Sequence, residues 1–353
     1  MRSLALVLIL FGFYAAKADA MPDAAQIKLA PGWKFEVFAE NVPSARIMQL
    51  TKNGDLLVST YRDGGVLLLK PDQDGDGKSD GRQTLISNLD LPHGLWLEDD
   101  ALYIAEQSQV TRFAFDGAQL SNPDVVLSGL PDNGGHVSRS LKRGPDGWLY
   151  VSVGSRCNVC TEDDPRRASI LRVKQGHEPE IFAQGLRNTV GFDWQPETGA
   201  LYGVDNGRDR LGDDIPDDEL NLIERGKHYG WPYRFGRNVA DPEYGNRAAE
   251  GLEFTPMAHG FGAHVAPLSI YFLNKNQALV AQHGSWNRSR KVGYRLVMLE
   301  WQADGNIQES VFLDGCMRDE EVFCRPVDVI QAPDGTIYVS DDRVNAIYAL
   351  KKD

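Results

Sequence analysis

PDGWLYVSV, residues 145–153, and PDGTIYVS, residues 333–340, are one phrase written twice: a tight turn, then a short strand. Asp and Gly supply the turn conformations, while Tyr, Val and Ile suit a half-buried pleated surface. Four looser copies recur at intervals of about fifty residues. Asn53-Gly54 precedes LLVS (56–59), Asp99-Asp100 precedes ALYIA (101–105), Glu197-Thr198-Gly199 precedes ALYGV (200–204), and Asn274-Lys275-Asn276 precedes ALVAQ (278–282). A second strand follows each copy: VLLLK, VTRFAF, SILRV, LNLI, YRLVML and AIYAL in chain order. Several copies end on a further strand, as in DVVLSGL (124–130), EIFAQGL (180–186) and ESVFLDG (309–315). The sixth has none after it, but KFEVFAENV (34–42), at the other end, carries the same pattern. Four strands in each of six units predict an all-β chain, a six-bladed β-propeller closed by its N-terminal strand. Closure in this way also removes an open sheet edge. A β-sandwich would explain neither the six copies nor the complementary ends.

The connection between the fourth and fifth units, residues 224–269, is much longer than the others, and long loops on a rigid repeat scaffold usually carry function. With 42% hydrophobic residues the chain can bury a large core, and its net charge of -13 argues against nucleic acid or an anionic membrane surface as partner. Residues 1–20 read as a signal peptide: Arg2, an apolar run over 4–16, then the small-x-small pattern Ala18-Asp19-Ala20. That run is too short for a comfortable membrane span, although an uncleaved anchor is the alternative. Residues 21–353 then form one propeller domain, periplasmic or secreted, with no stable membrane span. The cysteines agree with export. Cys157 with Cys160, and Cys316 with Cys324, are spaced for local disulfides. Metal or redox use of the CxxC is the alternative, without a second CxxC or a His pair to support zinc.

A cationic or titratable residue stands ahead of each unit: Arg46, His93, His136, Arg187, His264 and Arg325. Equivalent positions on inner propeller strands point toward one end of the axis, so six in phase suggest a ring that takes an anionic ligand. Independent solvated side chains are the alternative. The acidic loop 205–219 faces the same end, because Arg187 and Asn188 lead into its blade. Its oxygens suit a hard cation such as calcium, or it is a solvated turn. DQDGDGKSD, residues 72–80, is a second calcium candidate. Asp72, Asp74, Asp76 and Asp80 fall on the odd positions of an EF-hand-like loop with Gly77 at the tight turn, although Gln83 replaces the bidentate Glu. A plain polar turn is the alternative. His136, in the Gly-flanked NGGHVSRS, is the general-base candidate.

Together these stretches resemble the soluble quinoprotein sugar dehydrogenases, the pyrroloquinoline quinone (PQQ) family that includes aldose sugar dehydrogenases and sorbosone-dehydrogenase-like proteins. The resemblance is carried in order by GGHVSRSLKRGPDGWLYVSVG (134–154), GLRNTVGFDWQPETGALYGVDNG (185–207), DDELNLI (217–223), GKHYGWP (226–232), HVAPLSIYF (264–272), HGSWNRSRKVGYRLV (283–297) and RPVDVIQAPDG (325–335). The HGSWNR segment is similar to the sorbosone-type and pyranose-dehydrogenase branches. What the resemblance implies is a six-bladed propeller that oxidises a sugar, polyol or sugar-derived aldehyde with PQQ and calcium. His136 matches the base, Arg187 and Asn188 the residues that contact the quinone, and the carbonyls of Gly207 and Arg208 the calcium ligands. Arg325 matches a cation near a cofactor carboxylate. His283, Trp286, Asn287 and Arg288 belong to a further cofactor-contacting loop, and the ring reading adds Arg46 and His264. Three departures stand out: Ser155 where an Asp often orients the base, Asn206-Gly207-Arg208 where a Pro often follows the Gly, and Val327 where some members carry a second Arg. The electron acceptor would be a soluble cytochrome or a membrane quinone. A calcium-dependent lactonase and a non-catalytic carbohydrate-binding propeller are the alternatives. The cationic ring speaks against the first, since a lactone is neutral.

Overall fold

Each turn-strand phrase becomes the second strand of an antiparallel blade. The structure is a computed structural model describing residues 21–353; the expected signal peptide lies outside these. Blade 1 comprises Ala45–Leu50, Leu56–Thr60, Gly65–Leu69 and Arg82–Ile86; blade 2 comprises Leu95–Glu98, Ala101–Ala105, Val110–Phe115 and Leu120–Leu127. Blade 3 comprises Leu141–Arg143, Leu149–Val153, Ser169–Val173 and Glu180–Gln184; blade 4 comprises Thr189–Trp194, Leu201–Asp205, Glu219–Ile223 and the two-residue His259–Gly260. Blade 5 comprises Pro267–Asn274, Gln277–Gln282, Arg295–Trp301 and Ile307–Asp314, with Lys28–Leu29 as a fifth edge strand. Blade 6 comprises Pro326–Gln331, Ile337–Asp341 and Ala346–Lys352, and its outermost strand is Trp33–Ala39 from the N-terminal side. The ring therefore closes as expected, with Trp33 opposite Lys352 and Val37 opposite Tyr348.

Burial follows from this arrangement. The second and third strands of blade 1, and likewise of blade 3, are buried throughout, because a neighbouring blade covers each face. The outer strands Arg82–Ile86 and Leu120–Leu127 are largely exposed. Among the described residues, one apolar cluster fills each of the six blade interfaces. Leu57, Leu68, Leu102 and Phe113 lie between blades 1 and 2, and Leu279, Leu296, Val339 and Tyr348 between blades 5 and 6. Each fully buried Leu or Val contributes roughly 1.5–3 kcal/mol, so the wheel is held by its spokes rather than by one central core. Val190, Leu268 and Val327 form a small apolar cluster of their own on the inner strands. Both cysteine pairs are disulfides, Cys157–Cys160 and Cys316–Cys324. Among the described residues no helix is long and apolar enough to cross a membrane.

Candidate active site

The inner strands begin at one end of the wheel, and five of the six ring residues line one cavity of about 380 Å3 there: Arg46, His136, Arg187, His264 and Arg325. His93 does not. It is buried beside this cavity, its ring edge-on to Tyr61, and its Nε2 has no hydrogen-bond partner. Burial, and then the charge of Arg46, push its pKa down to about 3. Its place in the ring is a correction: a neutral imidazole packed behind Tyr61 is not a cation on the rim.

His136 is held from one side only. Its Nδ1 lies 2.9 Å from both the carbonyl oxygen and the hydroxyl of Ser155. A carbonyl only accepts, and the Ser155 hydroxyl donates to the Cys157 carbonyl at 2.7 Å. Nδ1 therefore carries the proton, and the Nε2 lone pair is left without a protein donor among the described residues. Ser155 thus takes the place of the expected Asp. Burial, and then the Arg187 charge, push the imidazole pKa down to about 3, so it is neutral near pH 7. Gly154 makes the packing possible: a Cβ there would sit 2.5 Å from the His136 Cβ and 2.8 Å from the Asn188 Oδ1. Gly154→Ala is expected to push these groups apart by roughly 1 Å, the gap to van der Waals contact. The cost is about 1–3 kcal/mol of overpacking strain. A thermal melt and the His136 ring NMR signals check it; unchanged signals would contradict the packing.

Arg187 is buried, with its guanidinium spread over Asn158, Asn206 and Asp209. Nε donates to the Asn158 carbonyl at 2.9 Å, Nη1 to the Asn206 carbonyl at 3.0 Å, and Nη2 to the Asn158 Oδ1 at 3.0 Å and Asp209 Oδ2 at 3.1 Å. Asp205 fixes the backbone beneath, accepting from the amides of Arg187 at 2.9 Å and Asn188 at 2.6 Å. Asp341 does the same for the Arg325 amide at 3.1 Å. Both aspartates end the second strand of their blade, so the repeat itself supplies the anchor for the ring position.

A second network crosses three blades. The Arg325 Nη2 donates to the His283 Nδ1 at 2.8 Å, which makes Nδ1 the lone pair and Nε2–H the donor to Asp342 Oδ1, also at 2.8 Å. Arg46 pairs with the other Asp342 oxygen at 3.0 Å. Burial opposes the Asp342 charge, but His283 and Arg46 outweigh it and hold its pKa below the usual carboxylate range. Sequence reading missed Asp342, because nothing in its spacing marks it as the link between two ring cations.

The acidic loop is buried at its two ends and exposed to half-buried through its middle, residues 209–215. Asp205, Asp218 and Glu219 are buried, and burial pushes their pKa values up to about 7, 6 and 8. Asp218 accepts from the amides of Gly207 and Ala266, both at 2.7 Å, so both of its oxygens are engaged. Gly207 lines the cavity, whereas the Arg208 side chain turns away to Asp241 at 2.6 Å and Glu243 at 2.8 Å. Asn188, His283 and Trp286 line the cavity, Trp286 as a 72% exposed ring at its mouth. Asn287 and Arg288 are not among the cavity's lining residues: their side chains bond the acidic loop, Asn287 on the cavity-lining Asp209 and Arg288 on Asp213 and Asp214. His264 likewise gives its Nε2–H to the Gly212 carbonyl at 2.9 Å. Val327, fully buried with Val190 and Leu268, makes an apolar patch where an Arg was the other option.

Far from the axis, Asp72, Asp74 and Asp76 place carboxylate oxygens within 4.8 Å of one another. Asp80 is not part of that group; it accepts from the Gln73 amide at 2.7 Å.

Known proteins share this architecture. An uncharacterized protein of Borreliella burgdorferi is 31% identical over 353 residues, covering 92% of this chain and 90% of its own. A pyrroloquinoline quinone-dependent sugar dehydrogenase of Hypocrea jecorina is 25% identical over 425 residues, covering 99% of this chain and 96% of its own. The calcium structure of the Trichoderma reesei family AA12 carbohydrate-active enzyme has the same fold, with a TM-score of 0.81 at 22% identity, over 95% of this chain and 99% of that one. The TrAA12-like family matches residues 27–242 and 253–353. That match runs through all six blades and both walls of the cavity, and it makes this chain a member of the TrAA12-like family.

Proposed function

We propose that the chain is an exported quinoprotein oxidoreductase. It oxidises a sugar, polyol or sugar-derived aldehyde with PQQ and calcium, and passes the electrons to a soluble cytochrome or a membrane quinone. One observation carries this reading: a neutral imidazole with one nitrogen tied back and the other open, in a cavity rimmed by Arg46, Arg187 and Arg325. The residues present fit the group. Arg46, Arg187 and Arg325 at the rim would meet the carboxylates of a flat tricarboxylate, and Val190 and Leu268, backed by the buried Val327, offer an apolar wall. A calcium ion would rely on main-chain carbonyls, those of Gly207 and Arg208, since the Asp218 oxygens are already engaged. When bound, PQQ supplies a two-electron acceptor and calcium a Lewis acid.

This chain's residues do the rest. His136 Nε2 takes the proton of the substrate hydroxyl, and Ser155 holds the ring in the one tautomer that leaves Nε2 free. Arg187 places a fixed positive charge beside the site, where it favours negative charge that develops during reaction. Arg46 and Arg325, set by Asp342 and His283, bind carboxylates. The signal-peptide pattern read in residues 1–20 and the two disulfides support export.

Reconstitution tests the proposal: PQQ and calcium added to the mature protein should produce a quinone absorbance band and dye-linked oxidation of an aldose, polyol or aldehyde. Neither appearing would overturn it. Lactone hydrolysis without PQQ would favour the lactonase instead. Because His136 stays neutral down to about pH 3, its titration should leave no acid limb in kcat/KM between pH 5 and 8. A limb near pH 6.5 that disappears in His136→Asn would contradict the buried, neutral ring.

The spacing of the 72–80 loop separately supports a structural calcium held by Asp72, Asp74 and Asp76, without Asp80, whose carboxylate accepts from the Gln73 amide. Calcium at a hundredfold excess over its Kd would then stabilise the protein by about 3 kcal/mol. Asp74→Asn should abolish that gain in a thermal melt, and an equal gain in the variant would refute the assignment.

A further inference from the structure

The four residues Cys157–Asn158–Val159–Cys160 are closed by a disulfide, and this small ring bonds Arg187 directly and His136 through Ser155, the two groups that the proposed function relies on most. Every polar atom of the Asn158 side chain, and its carbonyl, is spent on that site. The side-chain Oδ1 accepts from Arg187 Nη2 at 3.0 Å and from the Asp209 amide at 2.7 Å. Nδ2 donates to the Asp209 carbonyl at 2.9 Å. The carbonyl accepts from Arg187 Nε at 2.9 Å and from Trp231 Nε1, in the long insertion, at 3.2 Å. Its neighbour Cys157 accepts from the Ser155 hydroxyl at 2.7 Å, and Ser155 holds His136 Nδ1. One ring thus reaches Arg187 by Asn158 and His136 by Cys157.

We propose that Asn158 is a positioning residue for Arg187 and that the Cys157–Cys160 disulfide locks it there, so that reduction of this one bond loosens the active site while the propeller stays folded. The inference rests on the proposed role of Arg187 and His136. The physical ground is that a four-residue segment without regular structure has no backbone ladder of its own to hold it. Its shape comes from the covalent bridge and from the bonds it makes to blade 4. Opening the bridge returns backbone freedom to the segment that supplies two of the four acceptors on Arg187. The opening step is ordinary exchange with a dithiol: the S–S bond breaks, Cys157 and Cys160 each gain a hydrogen, and the dithiol is oxidised to its disulfide. The other disulfide, Cys316–Cys324, makes no bond to Arg187 or Ser155, although Cys324 directly precedes Arg325, so it serves as a control for Arg187 exchange and not for turnover.

Three variants test this in the mature protein loaded with PQQ and calcium: Asn158→Ala, Asn158→Asp, and the double change Cys157→Ser with Cys160→Ser. Asn158→Ala and the double variant should lower kcat by about 10- to 100-fold, the penalty of roughly 1 Å of misplacement, with KM within about threefold. Asn158→Asp keeps the acceptor for Arg187 and the Asp209 amide, and should recover part of the loss. A structural readout needs no cofactor. In the apo-protein the Arg187 Nε–H should exchange slowly with solvent in the wild type and quickly in the double variant, with the thermal midpoint near that of the wild type. Treatment with a dithiol should reproduce the double variant, and removal of Cys316–Cys324 should leave the Arg187 exchange slow. Wild-type exchange and kcat in Asn158→Ala or in the double variant would overturn the proposal. If the wild type oxidises no sugar, the functional reading fails, but the exchange measurement still decides whether the ring positions Arg187.

Discussion

His136→Asn is expected to cut turnover of the PQQ- and calcium-loaded protein by about two to four orders of magnitude, the usual worth of a positioned general base. Asn is close in size to His and can still face Ser155, so the packing against Gly154 survives. It has no basic nitrogen to accept a proton. The cationic rim is untouched, so PQQ should bind as it does in the wild type. Steady-state kinetics and an absorbance titration with PQQ separate these two quantities. A variant that loses cofactor binding but keeps turnover per bound cofactor would remove His136 from the chemistry and place it in the binding site.

Arg187→Leu is expected to lower turnover by about 10²–10³, the range seen when a preorganised charge or donor beside the reacting atoms is removed. Two effects follow, the first on turnover and the second on its pH dependence. The positive charge beside the reacting atoms disappears. The His136 pKa also rises, because Arg187 is the second cause, after burial, of its depression. The kcat/KM profile of the variant should therefore gain an acid limb at higher pH than the wild type. Arg187→Lys keeps the charge but not the fork that reaches Asn158, Asn206 and Asp209 together. It should fall between the wild type and Arg187→Leu. Equal kcat for the Lys and Leu variants would show that geometry, not charge, is what Arg187 supplies.

The stability cost of removing Arg187 falls on Asp209 and Asp205. Asp209 keeps a donor in Asn287 at 3.4 Å, and Asp205 keeps the Thr189 hydroxyl at 3.1 Å and two backbone amides. Neither carboxylate is left bare, so the variant should fold and its kinetics should be readable.

Several features were legible in the chain itself. The six turn-strand phrases gave the number of blades, because each is a turn signal followed by a short apolar run, the pattern of a strand covered on both faces. The strand Trp33–Ala39 was legible as the missing edge of blade 6, since hydrogen bonds along Ala346–Lys352 need a partner. The phase of Arg46, His136, Arg187, His264 and Arg325 within the repeat was enough to gather them, because equivalent positions in a wheel converge on its axis.

What the sequence determined by itself was periodic: strand number, ring closure and the gathering of five of the six Arg and His positions at one cavity, all of which follow from a repeating pattern and the geometry of a closed sheet. What only the tertiary structure decided was pairwise. Ser155 beneath His136, Asp342 between His283 and Arg46, Asn158 on Arg187, and Asn287 and Arg288 on the acidic loop each join residues from separate chain segments. A hydrogen bond depends on a few tenths of an ångström and on which lone pair is already taken, and no spacing along the chain encodes either.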